Sequence, residues 1–184
     1  DNGMSEEAYR LLQYEGYPSW LYPVKNGATT IWERLNSYTV KDGFGENNSM
    51  NSFNHYSFGA VASWMYNYSL GICRDEKSPG FKHFILKPEV DPTRGITHAE
   101  GYYDSMYGRI RSRWQYTDSG IRYEFTVPAN TTASLYLPAP AVSFISENGK
   151  QLKKASGVRY VSADKELHHL ELASGSYQFD IKQK

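Results

Sequence analysis

The hydrophobic period of this chain changes once, near Phe81, from helical to alternating, and that change limits what the chain can fold into. From His55 to Leu70 the pattern predicts a helix, with Phe58, Val61, Ala62, Met65 and Ser69 on one stripe and Trp64 and Tyr68 beside it. The segment holds no Asp, Glu, Lys or Arg. A helix apolar all round is expected to be buried. Gly71 sits where a helix of this kind ends in a left-handed residue. Only one other stretch has a helical period. Ser5 is the expected N-cap, Glu6 and Glu7 suit a first turn, Ala8, Leu11 and Leu12 share a face, and Gly16 is the expected stop. One helical neighbour is too little cover for the apolar helix. Residues 1 to about 72 therefore read as the tail of a larger helical domain, with the following β-region as a second source of cover.

Beyond Phe81 the period is 2. Ile110, Trp114 and Tyr116 alternate with Arg109, Arg111, Arg113 and Gln115, and Ile121, Tyr123, Phe125 and Val127 alternate with Arg122, Glu124 and Thr126. Leu135 and Leu137 continue the theme, Asn148-Gly149 is a strong hairpin signal, and Val158–Ser162, Leu167–Leu172 and Tyr177–Ile181 read as strands. Short strands with no helical pattern between them predict an antiparallel β-sandwich. The charged run Cys73 to Gly80 is the expected boundary, giving parts 1–76 and 77–184.

With 20 basic and 20 acidic side chains the formal net charge is zero, which argues against a nucleic-acid or anionic-membrane surface. The mean hydropathy of −0.64 is that of a globular chain. No apolar run approaches the roughly 18–20 residues of a membrane helix. The lone Cys73 excludes an internal disulfide framework and a multi-cysteine zinc site. Aromatic content is high, at 15%. The opening Asp1-Asn2-Gly3-Met4 has no basic n-region and no apolar h-region, so either the mature start lies here or the chain is a piece of a longer protein.

Tyr17 to Asn54 reads as one long loop, rich in Gly, Pro, Asn and Ser but too aromatic for disorder. Three stretches around it stand out: Tyr17-Pro18-Ser19-Trp20-Leu21-Tyr22-Pro23, then Gly27-Ala28-Thr29-Thr30-Ile31-Trp32-Glu33-Arg34, then Met50-Asn51-Ser52-Phe53-Asn54-His55-Tyr56. A carboxylate beside the indole of Trp32 loses hydration, which makes Glu33 a better base near neutral pH. The other reading is a surface Glu paired with Arg34. His55, 22 residues further on, is either a pocket-rim hydrogen-bonding residue or a group satisfying the helix start. Asn51 and Asn54 are caps or ligand contacts, and Trp20, Tyr22 and Trp32 are a sugar platform or core. His168 and His169 occupy adjacent strand positions and point to opposite faces, so a shared metal ion is not expected.

Together these stretches resemble the C-terminal portion of a bacterial α-L-rhamnosidase of glycoside hydrolase family 78. The likeness continues through Ser78-Pro79-Gly80-Phe81-Lys82, Ile85-Leu86-Lys87-Pro88 and Ser105-Met106-Tyr107-Gly108 into Trp114. It implies an α+β fragment: the last two helices of an (α/α)6 barrel in 1–76, with the long active-site loop, then the family's antiparallel C-terminal β-sandwich in 77–184. It implies inverting hydrolysis of terminal α-L-rhamnosyl groups in glycosides or polysaccharides. Glu33 would be the general base, Trp32 would shape the pocket and His55 would contact rhamnose. No cofactor or metal is implied. The general acid of such an enzyme stands roughly 6.5–9.5 Å from the base, and in this family it comes from an earlier part of the barrel. No stretch here resembles it; Glu15, Asp42 and Glu46 are carboxylates without a motif. The segment alone is therefore expected to be inactive, to need the remainder of its polypeptide as partner, and to self-associate through its apolar face. Leu35 and Asn36 stand where many relatives have an aromatic residue and an acid, which alters the local pocket wall. Two other classes remain open: a carbohydrate-binding sandwich using Tyr102, Tyr103, Tyr107 and Trp114, or a purely structural cap.

Overall fold

The computed structural model describes residues 3–45, 49 and 51–182. They divide into two compact units. One holds Asp1–Trp64 with Asp91–Gly95, and the other holds Met65–Val90 with Ile96–Lys184.

In the first unit, helix α1 spans Ser5–Gln13 and α2 spans Leu21–Lys25. The cap of α1 is Met4 rather than Ser5, which is already helical, and no side chain caps it. The helix ends at Tyr14, whose extended backbone breaks it before Gly16. Its buried residue is Tyr9, which meets Trp64 edge-on at 5.0 Å, while Leu11 of the expected apolar face is exposed. The burial of one large aromatic ring outweighs that of the smaller aliphatic stripe. Gln13 Nε2 donates to Asp91 (2.8 Å), which also accepts from the Thr93 amide and hydroxyl, so the buried carboxylate is satisfied. The loop read as structureless contains α2, begun where the Tyr22 amide donates to Ser19 Oγ (3.0 Å).

The apolar segment is not one regular helix. Tyr56–Ala60 is 3₁₀, α3 spans Val61–Trp64, and Met65–Ser69 has π geometry. The Leu70 amide reaches back to the Met65 carbonyl (2.9 Å), a five-residue step that marks the widened turn. Nor is it buried by the described residues: Tyr56, Phe58, Met65 and Tyr66 are all exposed.

The second unit is the sandwich. Its strands are β1 (Ile72–Arg74), β2 (His83–Leu86), β3 (His98–Ser105), β4 (Gly108–Thr117), β5 (Gly120–Val127), β6 (Thr132–Pro138), β7 (Ile145–Glu147), β8 (Lys150–Gln151), β9 (Val158–Asp164), β10 (Leu167–Leu172) and β11 (Gly175–Lys182). One sheet has the order β1-β2-β6-β10-β9, the other β3-β4-β5-β11-β7-β8. Every pairing is antiparallel except β2 with β6. The chain leaves β2 to build β3, β4 and β5 in the second sheet, and returns beside β2 in the same direction. Alternation places Phe84, Leu86, Leu135, Leu170, Ile110, Tyr123 and Phe179 in the core, each fully buried. Trp114 is also fully buried, and its indole donates to the Ser69 carbonyl (2.8 Å). Asn148 (φ 46°) and Gly149 (φ 73°) make the expected turn, with Glu147 opposite Lys150. Strands β1 to β3 have no clear period in the sequence. The edge strand β3 is half-exposed along its length, so its residues need not alternate.

Candidate active-site loop

The stretches that carry Glu33 and His55 are joined by backbone bonds, not by a helix or strand. The Glu33 amide donates to the Ser52 carbonyl (2.9 Å), and the His55 amide donates to the Ile31 carbonyl (2.8 Å). These two bonds lay residues 31–33 alongside residues 52–55, so two stretches far apart in sequence become one short ladder. His55 stands at the start of the 3₁₀ turn in extended conformation, and its side chain does not cap that turn. Its ring lies nearly parallel to that of Tyr56, with centroids 6.4 Å apart. Glu33 is half-buried, and no described residue forms an ion pair with it, Arg34 included.

Trp32 is only 6% exposed. It meets Phe53 edge-on at 5.2 Å and Tyr38 at 6.5 Å, and Phe44 joins the cluster through both Tyr38 and Phe53. A small turn makes this possible. Thr39 and Gly43 exchange both backbone hydrogen bonds (3.0 and 2.9 Å), which sets Tyr38 and Phe44 side by side. Gly43 has φ 63°, a conformation that favours glycine. The four rings line one side of a pocket of about 320 Å³ whose other wall is Gly27 to Thr30. Glu33 and His55 are not among its lining residues. The aromatic cluster was not visible as a unit in the sequence; the clue was four rings in a stretch otherwise rich in Gly, Asn and Ser.

The remaining candidates separate. Trp20 donates to the Phe58 carbonyl (2.9 Å), Tyr22 packs on Tyr17, and Trp32 sits in its own cluster, so the three have different partners rather than one platform. Asn51 Nδ2 reaches the Ser37 carbonyl (3.4 Å), bracing the loop. Among the other carboxylates, Glu15 pairs with Lys25, and Asp42 lies in the turn bonded to Thr39. Glu46 and Met50 lie outside the described residues. In the sandwich, His168 is buried against the Ala139 carbonyl (3.1 Å), while His169 stacks on Tyr136 and contacts Glu171 (3.0 Å). The two rings do point apart. Among the described residues no group of three or more His, Cys, Asp or Glu is placed to hold a metal ion.

Comparison with known proteins agrees with this layout. Residues 1–69 match the bacterial alpha-L-rhamnosidase 6 hairpin glycosidase domain, and residues 71–151 match the bacterial alpha-L-rhamnosidase C-terminal domain. An alpha-L-rhamnosidase of Streptomyces avermitilis is 34% identical over 181 residues, covering 98% of this chain and 16% of the relative. One of Alteromonas sp. is 36% identical over 181 residues, covering 97% of this chain and 18% of the relative. The crystal structure of the Streptomyces avermitilis alpha-L-rhamnosidase complexed with L-rhamnose matches with a TM-score of 0.83 at 33% identity, over 98% of this chain and 16% of that one. The alpha-L-rhamnosidase from Dictyoglumus thermophilum matches with a TM-score of 0.77 at 27% identity, over 98% of this chain and 19% of that one. The chain thus spans 16–19% of the length of these relatives. A helical part like their 6 hairpin domain is followed by a sandwich like their C-terminal domain, and the chain belongs to the bacterial α-L-rhamnosidase family.

Proposed function

We propose that this chain is part of an inverting glycoside hydrolase that removes terminal α-L-rhamnosyl groups, to which it contributes the general base Glu33 but not the general acid. The observation that supports this reading is the two-bond ladder between residues 31–33 and 52–55, which joins the stretches that carry Glu33 and His55. Glu33 takes a proton from water as the water oxygen bonds to the anomeric carbon. The bond from that carbon to the leaving oxygen breaks on the opposite face, and an acid protonates that oxygen. His55 bonds a hydroxyl of the sugar, and Trp32 holds the pocket wall from its buried position. Glu15 pairs with Lys25 and the Asp42 carboxylate accepts from the Thr39 hydroxyl, and in this reading the acid comes from another part of the polypeptide, as the family resemblance implies. In this reading residues 1–76 complete a catalytic barrel, residues 77–184 are its C-terminal sandwich, and the substrates are rhamnose-containing glycosides or polysaccharides.

The test compares hydrolysis of an aryl α-L-rhamnoside by the complete enzyme and by the 184-residue chain. Turnover is expected from the complete enzyme only. Turnover by the chain alone would place the acid within it, and turnover by neither would remove the substrate assignment. The exposed Tyr56 and Phe58 of the first unit and Met65 and Tyr66 of the second predict that the isolated chain self-associates through exposed apolar side chains. Sedimentation should show dimers or larger species, and a monomer at all concentrations would contradict the prediction.

A further inference from the structure

The outward face of the β3-β4-β5-β11 sheet carries two rows of side chains that run straight across the strands. Register places Glu100 opposite Arg113, Arg113 opposite Glu124, and Glu124 opposite Gln178. The next row is Tyr102, Arg111, Thr126 and Ser176. Strands lie about 4.8 Å apart, so each row spans roughly 14 Å, and residues two apart on a strand separate the rows by roughly 6.5 Å. Between them lies a groove of about 370 Å³, whose lining includes Asn148.

The lining is charge-balanced and rich in planar hydrogen-bonding groups. Arg113 reaches Gln115 (2.6 Å) and Glu124 (3.4 Å), and its buried Nε–H faces Glu100 at 3.9 Å, an ion-pair distance too long for a hydrogen bond. Arg111 has no acid opposite it: its cross-strand neighbours are Tyr102 and Thr126. Tyr102 is half-exposed, and the Arg109 guanidinium lies 3.8 Å from its ring centre. Asp104 grips Arg109 through both carboxylate oxygens (2.7 and 2.9 Å), which fixes that stack. An anion in the groove would face Glu100 and Glu124, and a cation would face Arg111 and Arg113. A neutral polyol suits both, because each hydroxyl donates to a carboxylate and accepts from a guanidinium. Tyr102, opposite Arg111 and just outside the groove's lining, supplies the apolar surface that a sugar ring also needs.

We propose that this groove binds a neutral saccharide chain laid across β3, β4, β5 and β11, with Arg111, Glu124 and Gln178 bonding its hydroxyls and Tyr102 beneath one ring. The groove is built wholly from the sandwich unit and does not depend on the role of Glu33. Affinity electrophoresis of the 184-residue chain tests it, with galactan, arabinoxylan or mixed-linkage β-glucan in the gel and polygalacturonate as the acidic control. At least one neutral polymer should retard the chain. Arg111→Ala and Gln178→Ala should each weaken that binding about tenfold or more, as expected for losing a hydrogen bond to or from the ligand in a charged groove. Ser176→Trp should block it, and Glu33→Gln should leave it unchanged. All three groove side chains point outward, so a melting curve checks that the variants stay folded. No retardation by any neutral polymer, retardation insensitive to the three groove variants, or retardation by polygalacturonate alone would overturn the proposal.

Discussion

Glu33→Gln in the complete enzyme is expected to reduce kcat on an aryl α-L-rhamnoside by about 10²–10⁴-fold, the factor that a positioned general base supplies. Gln keeps the length of the side chain and the amide that donates to the Ser52 carbonyl, so the ladder to residues 52–55 survives. KM should stay within a few-fold, because the water-activating group is lost and not a sugar contact. Turnover within tenfold of the parent would remove Glu33 from the base role, and a rise in KM alone would make it a binding residue.

Gly71→Ala is expected to be the most disruptive small substitution in the sandwich unit, costing about 4 kcal/mol or more. Gly71 has φ 66°, where a Cβ costs about 1–2 kcal/mol by itself. That Cβ would also lie 2.1 Å from the Pro88 nitrogen and 2.2 Å from the Lys87 carbonyl carbon. Backbone cannot swing aside as a side chain does, and this backbone is pinned on both sides. The Lys87 amide donates to the Gly71 carbonyl (2.8 Å), and the Glu89 amide donates to the Tyr68 carbonyl (2.8 Å). Relief of the clash breaks at least one of these bonds. The melting temperature should fall by roughly 10 °C, given about 2–4 °C per kcal/mol at this size. Gly80→Ala is the control: φ is 83°, but nothing lies within 4 Å of the added carbon, so only the conformational cost applies. Equal melting temperatures for the two variants would show that the close approach at Gly71 is not rigid.

Local pattern was a good guide wherever one residue type sets one local geometry. The Asn148-Gly149 turn, the alternation of β5, β10 and β11, and the opposed rings of His168 and His169 were all legible. So was the uncharged stretch from His55 to Leu70, read as a surface needing cover, although not its 3₁₀, α and π segments. A widened turn depends on where the next strand must begin, and here that is Ile72, straight after Gly71, whose carbonyl accepts from the Lys87 amide. The edge strand β3 was missed because half-exposed residues carry no alternation. The parallel pairing of β2 with β6 was missed because strand direction is set by the route of the chain through the other sheet.

The candidate site residues divide in the same way. Trp32, Glu33 and His55 were named through the resemblance of their stretches to the rhamnosidase family, because type and spacing alone fit a surface Glu, a helix-start His and a core Trp as well. That the stretches carrying Glu33 and His55 lie alongside each other was not readable, because two backbone hydrogen bonds, Glu33 to Ser52 and His55 to Ile31, decide it and backbone bonds leave no side-chain signature. The groove on the outer sheet face lies at the far end of that range. Each residue in it reads alone as an ordinary solvated strand position. Only the register of four strands, set by the packing of their inward faces, turns eight such positions into two facing rows.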